Sequence, residues 1–300
     1  MVGVEQLLER RVGVLLKANP GLAEAADLQK AILACVYGVA APTRPIVLPV
    51  QRARDKLEGG VPLLHNEDVY LDPGFVQDVF GRLVNLLRSR PETADATASV
   101  ADAAYEHRLH VEHVVAEAFV NHPEHLEAVA MQAGVDVDLL AMLAQLSARP
   151  ILKAYAEQLR PALESGQWSQ GYCPICGAWP GLAELRGAEL FRHFRCLRCA
   201  ADWTATRLSC PFCGNDDYDT LGYLQIEGER RFRVDICRRC GGYIKAGNAF
   251  DPAPAEILAL DDLASVHLDL AAIEREHTRP PEPGFRLELV GGEDELDDDD

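Results

Sequence analysis

The stretch from Cys173 to Lys245 opens with CPICG (173–177), passes through CLRC (196–199) and CPFCG (210–214), and closes on CRRCGGYIK (237–245). Eight of the nine cysteines in this 300-residue chain therefore fall into four Cys-x-x-Cys pairs. Two residues between ligands make a tight turn that aims both sulfurs at one point, with backbone N–H groups stabilising the thiolates. Two such knuckles complete a tetrahedral four-thiolate shell, so four knuckles make two metal sites. The first and third knuckles share Cys-Pro-x-Cys-Gly and the second and fourth share an Arg before the closing Cys, which marks a duplicated unit. Local pairing within each unit puts Cys173, Cys176, Cys196 and Cys199 at one site and Cys210, Cys213, Cys237 and Cys240 at the other.

The gaps between knuckles read as hairpins. Glu184 to Arg195 runs as two short segments around Arg186-Gly187, and Tyr223 to Ile236 does the same around Gly228. After the second knuckles, Asp202-Trp203-Thr204 and Gly242-Tyr243-Ile244-Lys245 each offer a third strand with an aromatic to cover the site. Gly177, Gly214 and Gly241 suit the turns that leave a knuckle. Disulfides would need an oxidising compartment, and a thioredoxin-like motif would need one reactive pair at a helix start, whereas here four pairs recur in turns. Tetrahedral S₄ accepts zinc or iron, and the spacing does not decide between them; on ligand chemistry alone zinc leads.

Length suggests about two domains, and 48% hydrophobic residues suffice for a sizeable core. No apolar stretch is long enough to span a bilayer, and the N-terminal residues lack the features of a secretory signal. The expectation is a cytoplasmic protein with reduced thiols and no membrane insertion. Net charge is −18, with seven acids and no base in Glu293–Asp300. Residues 173–245 instead carry eleven Lys/Arg against nine Asp/Glu. Arg192, Arg195 and Arg198 flank one knuckle and Arg238 and Arg239 lie inside another; they can shield thiolate charge or pair with carboxylates on a partner. An acidic chain without a continuous basic stripe is a poor nonspecific nucleic-acid binder.

The expected architecture is multidomain α plus small β. An all-α N-terminal domain (1–167) precedes two rubredoxin-like or zinc-ribbon modules (168–207 and 208–250), C-terminal helices (251–277) and a disordered acidic tail (278–300). Within the helical part the spacing predicts helices over Leu22–Ala40, around Phe75–Leu87, and over a long Ala94–Val120. Beyond these, Pro123 starts another helix that Gly134 closes, Asp136 or Asp138 caps the next, and Pro150 starts a further one to Leu163. Residues 43–72 read as an extended connection, and Cys35 as a core residue. Two short helices are expected at Ala255–Leu260 and Asp262–Glu276. On a continuous helix Glu106, His110, His113 and Glu117 would share one face, with His107, His122 and His125 nearby in sequence. A helical diiron site would need a second Glu-x-x-His set, which the chain lacks. Walker, dinucleotide and Gly-x-Ser-x-Gly motifs are absent, so no catalytic residue is assigned and an enzyme is not expected.

GYCPICGAWP, FRHFRCLRCAADW, LSCPFCGN, VDICRRCGGYIK and the closing LDDLASVHLDL, placed after a helical domain, resemble the FdhE family of formate dehydrogenase accessory proteins over most of residues 1–276. The resemblance implies a cytoplasmic, non-catalytic maturation factor that contacts the catalytic subunit of formate dehydrogenase before export. It also implies rubredoxin-like iron on the two cysteine sets, moving the metal preference from zinc towards iron. The alternative reading is a zinc-ribbon module acting on nucleic acid or a transcription complex.

Overall fold

The computed structural model describes residues 4–229 and 231–290. By internal contacts the chain divides into two units. One comprises 1–38, 169–173 and 178–284; the other comprises 39–168, 174–177 and 285–300. Residues 1–38, expected with the helical domain, are thus counted with the unit that carries the sheet.

The second unit is helical: α3 (Val50–Glu58), α4 (Pro73–Arg88), α5 (Ala94–Tyr105), α6 (Val111–Val120), α7 (Pro123–Ala133) and α8 (Val137–Leu159). Asp72 starts α4 and Asp136 starts α8, each accepting a hydrogen bond from a first-turn backbone N–H. Helix α8 is the centre, packed by α4, α6 and α7, and it buries Leu140, Leu143, Ile151, Leu152 and Tyr155 among others. Tyr155 meets Phe119 edge-on at 6.5 Å, and its hydroxyl accepts from the Tyr70 N–H at 2.9 Å.

Three helix expectations need correction. The long Ala94–Val120 helix is two helices, because His107 adopts φ 56° and the chain leaves helical geometry before His110. The connection at 43–72 contains α3. Pro150 does not start a helix but lies inside α8. An internal proline costs roughly 3 kcal/mol, whereas each fully buried Leu or Ile contributes about 1.5–3 kcal/mol. The many side chains that α8 buries on both sides of Pro150 outweigh one lost hydrogen bond. Part of the segment expected as tail is also structured: Leu287 is fully buried, its N–H donates to the Val120 carbonyl, and Leu289 bridges to Glu67. The acidic run Glu293–Asp300 lies outside the described residues.

In the first unit, α1 (Val4–Ala18) and α2 (Ala23–Tyr37) join α9 (Ala255–Ala264) around Leu8, Leu33 and Leu260. Cys35 is half-buried in α2. The expected hairpins are present as β1 (Leu182–Arg186) with β2 (Phe191–Arg195) and β4 (Leu221–Leu224) with β5 (Phe232–Cys237). The third strands are β3 (Asp202–Thr204) and β6 (Tyr243–Ala249). The two ribbons are not separate sheets. They form one six-stranded sheet in the order β3-β2-β1-β6-β5-β4, joined by parallel pairing of β1 with β6, Leu182 opposite Lys245 through Arg186 opposite Ala249. Strand β5 alternates: Phe232, Val234 and Ile236 face a core with Leu268 and Ala272 of α10 (Val266–Ile273), while Arg233 and Asp235 point away.

The closing Asp-Asp-Leu-Ala segment locks this core through charge. Asp261 accepts from the guanidiniums of Arg11 and Arg231. Lys245, fully buried on β6, donates to the Asp262 carbonyl at 2.8 Å and to Asp269 Oδ2 at 2.5 Å. Asp269 in turn accepts from the Tyr243 hydroxyl at 2.9 Å.

Candidate metal centres

Each knuckle repeats one backbone pattern. The N–H of the first cysteine donates to the carbonyl five residues on: Cys173 to Ala178, Cys196 to Ala201, Cys210 to Asn215 and Cys237 to Gly242, at 2.8–3.0 Å. The residue four beyond that cysteine takes the left-handed conformation: Gly177 at φ 73°, Ala200 at 63°, Gly214 at 69° and Gly241 at 72°. Glycine adopts that conformation without steric cost, and three knuckles use it; the second places alanine there. The signal was in the sequence as the residue directly after each closing cysteine, but only the shared geometry shows that Ala200 is the fourth member. Strain from an L-residue here is about 1–2 kcal/mol, offset in part by the roughly 0.5–1 kcal/mol of extra unfolded-state entropy that glycine brings. Ala200→Gly is expected to stabilise the protein slightly. Gly214→Ala, where a Cβ would meet nothing within 4 Å, should cost about 1 kcal/mol through backbone conformation alone. Denaturant titration of both variants checks the opposite signs.

The turns gather the sulfurs as the local pairing expects. In each of the sets Cys173/Cys176/Cys196/Cys199 and Cys210/Cys213/Cys237/Cys240, all four sulfurs lie within 4.8 Å of one another. Cys173 and Cys199 are 3.5 Å apart, Cys210 and Cys240 3.6 Å, and Cys213 and Cys237 3.8 Å. These separations far exceed a disulfide bond of about 2.05 Å. They match the separation of about 3.8 Å that tetrahedral metal–sulfur bonds of about 2.3 Å require. Two metal ions fit these donors, and the all-sulfur geometry suits zinc and iron alike.

The electrostatics favour a resident cation. Burial foremost pushes the Cys210 thiol up, and it raises Cys240 to about 11. At Cys237 burial opposes ionisation too, but the N–H groups of Cys240 and Arg239 and the Asn215 amide outweigh it and bring the thiol down to about 7. A dication held by these cysteines would supply the charge that lets four thiolates share so small a volume. The two sites differ in cover: all four cysteines of the first are buried, whereas Cys213 and Cys240 of the second are exposed.

Both third-strand aromatics are buried. Trp203 packs on Phe194 at 5.8 Å, and Tyr243 points into the core to bond Asp269. Tyr172, Trp179 and Phe212 make a further aromatic cluster near the CPxCG knuckles, with Trp179 5.9 Å from Tyr172 and 5.3 Å from Phe212. Gly171 admits this arrangement, since a Cβ there would sit 1.8 Å from the Pro211 carbonyl oxygen. Two of the flanking arginines are also redirected. Arg195 is buried, bonded to Glu184 at 2.7 Å and to the Ala253 carbonyl at 2.8 Å. Arg192, buried as well, contacts Asp235 at 3.2 Å and donates to the Ser209 carbonyl at 2.7 Å. Arg238 and Arg239 remain exposed. The sequence does not distinguish these arginines, because only tertiary pairing separates them.

A cleft of about 160 Å³ opens beside the second site, lined by Arg207, Leu208, Tyr218, Tyr223 and Arg233 as well as Cys210 and Cys237. Leu208, Tyr218 and Tyr223 are all more than half exposed. Strand β4 forms the adjoining free edge of the sheet.

A six-stranded double ribbon carrying two four-cysteine clusters defines a protein of paired zinc-ribbon or rubredoxin-like modules with a helical unit. No family model matches the sequence. Among curated relatives, an FdhE homologue of Aquifex aeolicus is 31% identical over 148 residues, 48% of this chain and 51% of that protein. FdhE homologues of Pseudomonas putida and Pseudomonas aeruginosa are 35% and 32% identical over 129 and 120 residues. These cover 40% and 37% of this chain and 38% of each relative. The chain thus spans about half or less of the curated relatives it matches. The crystal structure of the FdhE protein from Pseudomonas aeruginosa shares the fold, with a TM-score of 0.54 at 24% identity, over 95% of this chain and 97% of that one. The chain is thus similar in sequence to FdhE homologues over part of its length and shares the fold of one FdhE protein. No helix among the described residues is long and apolar enough to cross a membrane.

Proposed function

We propose that the protein is a cytoplasmic accessory factor for formate dehydrogenase. It would bind the catalytic subunit before export and carry two metal ions on its eight paired cysteines, with iron the preferred occupant and zinc the alternative. The observation that supports this reading most is the pair of four-cysteine clusters in one continuous sheet, together with the likeness to FdhE proteins. In each site the metal would supply a rigid cross-link between two knuckles, in ribbons too small to fold on hydrophobic burial alone. The chain's own residues then present a client surface: the cleft with Leu208, Tyr218 and Tyr223 offers apolar and aromatic anchors, and exposed Arg207, Arg238 and Arg239 can meet client carboxylates.

The nucleic-acid reading is weaker on this geometry, because Arg192 and Arg195 are buried in internal ion pairs and cannot reach phosphates. The test is capture of the formate dehydrogenase catalytic subunit by purified protein, compared with Leu208→Asp/Tyr223→Asp. Binding that weakens at least about tenfold in that variant, with metal content unchanged, supports the reading. Absence of capture, combined with normal formate dehydrogenase activity in cells lacking the protein, refutes it.

A further inference from the structure

The connection between α6 and α7 folds three metal-ligating side chains onto one point. Asn121 ends α6 in the left-handed conformation, φ 70° and ψ 47°, and its N–H and that of His122 both donate to the Glu117 carbonyl. The reversal places His122 at the N-cap of α7, with Pro123 following and His125 in the first turn. The Glu117 carboxylate, with its side chain 16% exposed, lies among these rings. His125 Nδ1 is 2.8 Å from Oε2, His122 Nδ1 is 3.5 Å from the same oxygen, and His113 Nε2 approaches Oε1 at 4.0 Å. The ligand atoms of Glu117, His122 and His125 all lie within 4.8 Å of one another. The nearby acid Glu124 is engaged at 2.5 Å by Arg286, and Glu117 is the carboxylate whose oxygens lie 2.8, 3.5 and 4.0 Å from imidazole nitrogens.

Tetrahedral metal–ligand bonds of about 2.0–2.1 Å place ligand atoms about 3.3–3.4 Å apart. The observed carboxylate–imidazole separations of 2.8 and 3.5 Å bracket that value. Two imidazoles and a carboxylate form a borderline donor set suited to zinc and its late first-row neighbours, distinct from the all-thiolate clusters. Only three side chains close on the point, and His125 is 57% exposed. Such a site keeps a coordination position for water or an exchanging ligand.

We propose that Glu117, His122 and His125 form a third metal site, selective for a zinc-like divalent ion and open to solvent. It is independent of the cysteine clusters: the reading of those clusters can fail while this site stands, and the reverse. The site is a turn between helices rather than the helix face that sequence spacing suggested, and Glu106 and His110 take no part in the cluster.

Equilibrium dialysis of the full chain tests it, after the metal content of the purified protein has been measured. At about 10 µM free zinc, one further zinc per chain is expected to bind. In His122→Ala/His125→Ala and in Glu117→Gln the affinity for that zinc is expected to fall by at least about tenfold. The control His107→Ala/His110→Ala should leave it unchanged. Retention of cysteine-bound metal and an unchanged circular dichroism melt show that the variants fold. No additional zinc at that concentration overturns the proposal, as does an additional zinc that persists in the histidine double variant or is lost equally in the control.

Discussion

Replacing Cys173 and Cys176 by serine is expected to remove about one metal ion per chain and to lower stability more than any other pair substitution in the ribbons. Structural zinc contributes roughly 10–16 kcal/mol of apparent binding free energy in small ribbons, and the first site is wholly buried. Water therefore cannot replace the lost ligands, and the buried sulfurs left behind lose the cation that offsets their charge. Cys213→Ser/Cys240→Ser should also remove about one metal per chain, at a smaller cost, because both of these side chains are exposed and their replacements remain solvated. Elemental analysis of anaerobically purified protein, with chemical denaturation, reads both effects. The visible spectrum of the parent sample separates ferric-thiolate iron from colourless zinc. Unchanged metal content in either variant would overturn the pairing.

The buried ion pair beneath the sheet carries the second large expectation. Lys245 is fully buried, whereas Asp262 and Asp269 keep 36% and 20% of their side-chain surface. The partners are therefore not equivalent. Asp269→Ala takes one of two carboxylate partners from a buried ammonium and an acceptor from the Tyr243 hydroxyl, and is expected to cost about 3 kcal/mol, the low end for breaking a buried pair. Lys245→Met removes the buried charge and leaves two partly exposed carboxylates that keep Arg279 as a neighbouring cation, so its cost should be well below that of Asp269→Ala. Adding Lys245→Met to Asp269→Ala should recover much of the loss. Thermal or urea denaturation of the two single variants and the double closes the cycle. Equal costs for the two single changes would show that the burial asymmetry does not govern this pair.

Much of the candidate site was legible because Cys-x-x-Cys is a local device. Its turn and its ligand direction are set within six residues, and duplication of the unit shows which knuckles belong together; the four sulfurs of each set duly converge. The two hairpins were legible for the same reason, since Gly187 and Gly228 both sit at positive φ between alternating segments. Helix continuity was not. Pro150 reads as a start and lies within α8, because burial on both sides of the helix exceeds a local penalty that sequence alone displays. His107 gives no comparable warning, yet the chain turns there and splits one apparent helix into two.

The sequence by itself determined the donor set, the number of knuckles and the local pairing, all of which depend on contacts between near neighbours. Tertiary structure alone decided what depends on distant segments. The two ribbons share a sheet through β1 and β6, a register in which residues some sixty positions apart must meet and which no local pattern encodes. It withdrew Arg192 and Arg195 into internal ion pairs while leaving Arg238 and Arg239 in solvent. It also assembled Glu117 with His122 and His125, since a single left-handed residue at Asn121 redirects the chain by more than any spacing rule anticipates.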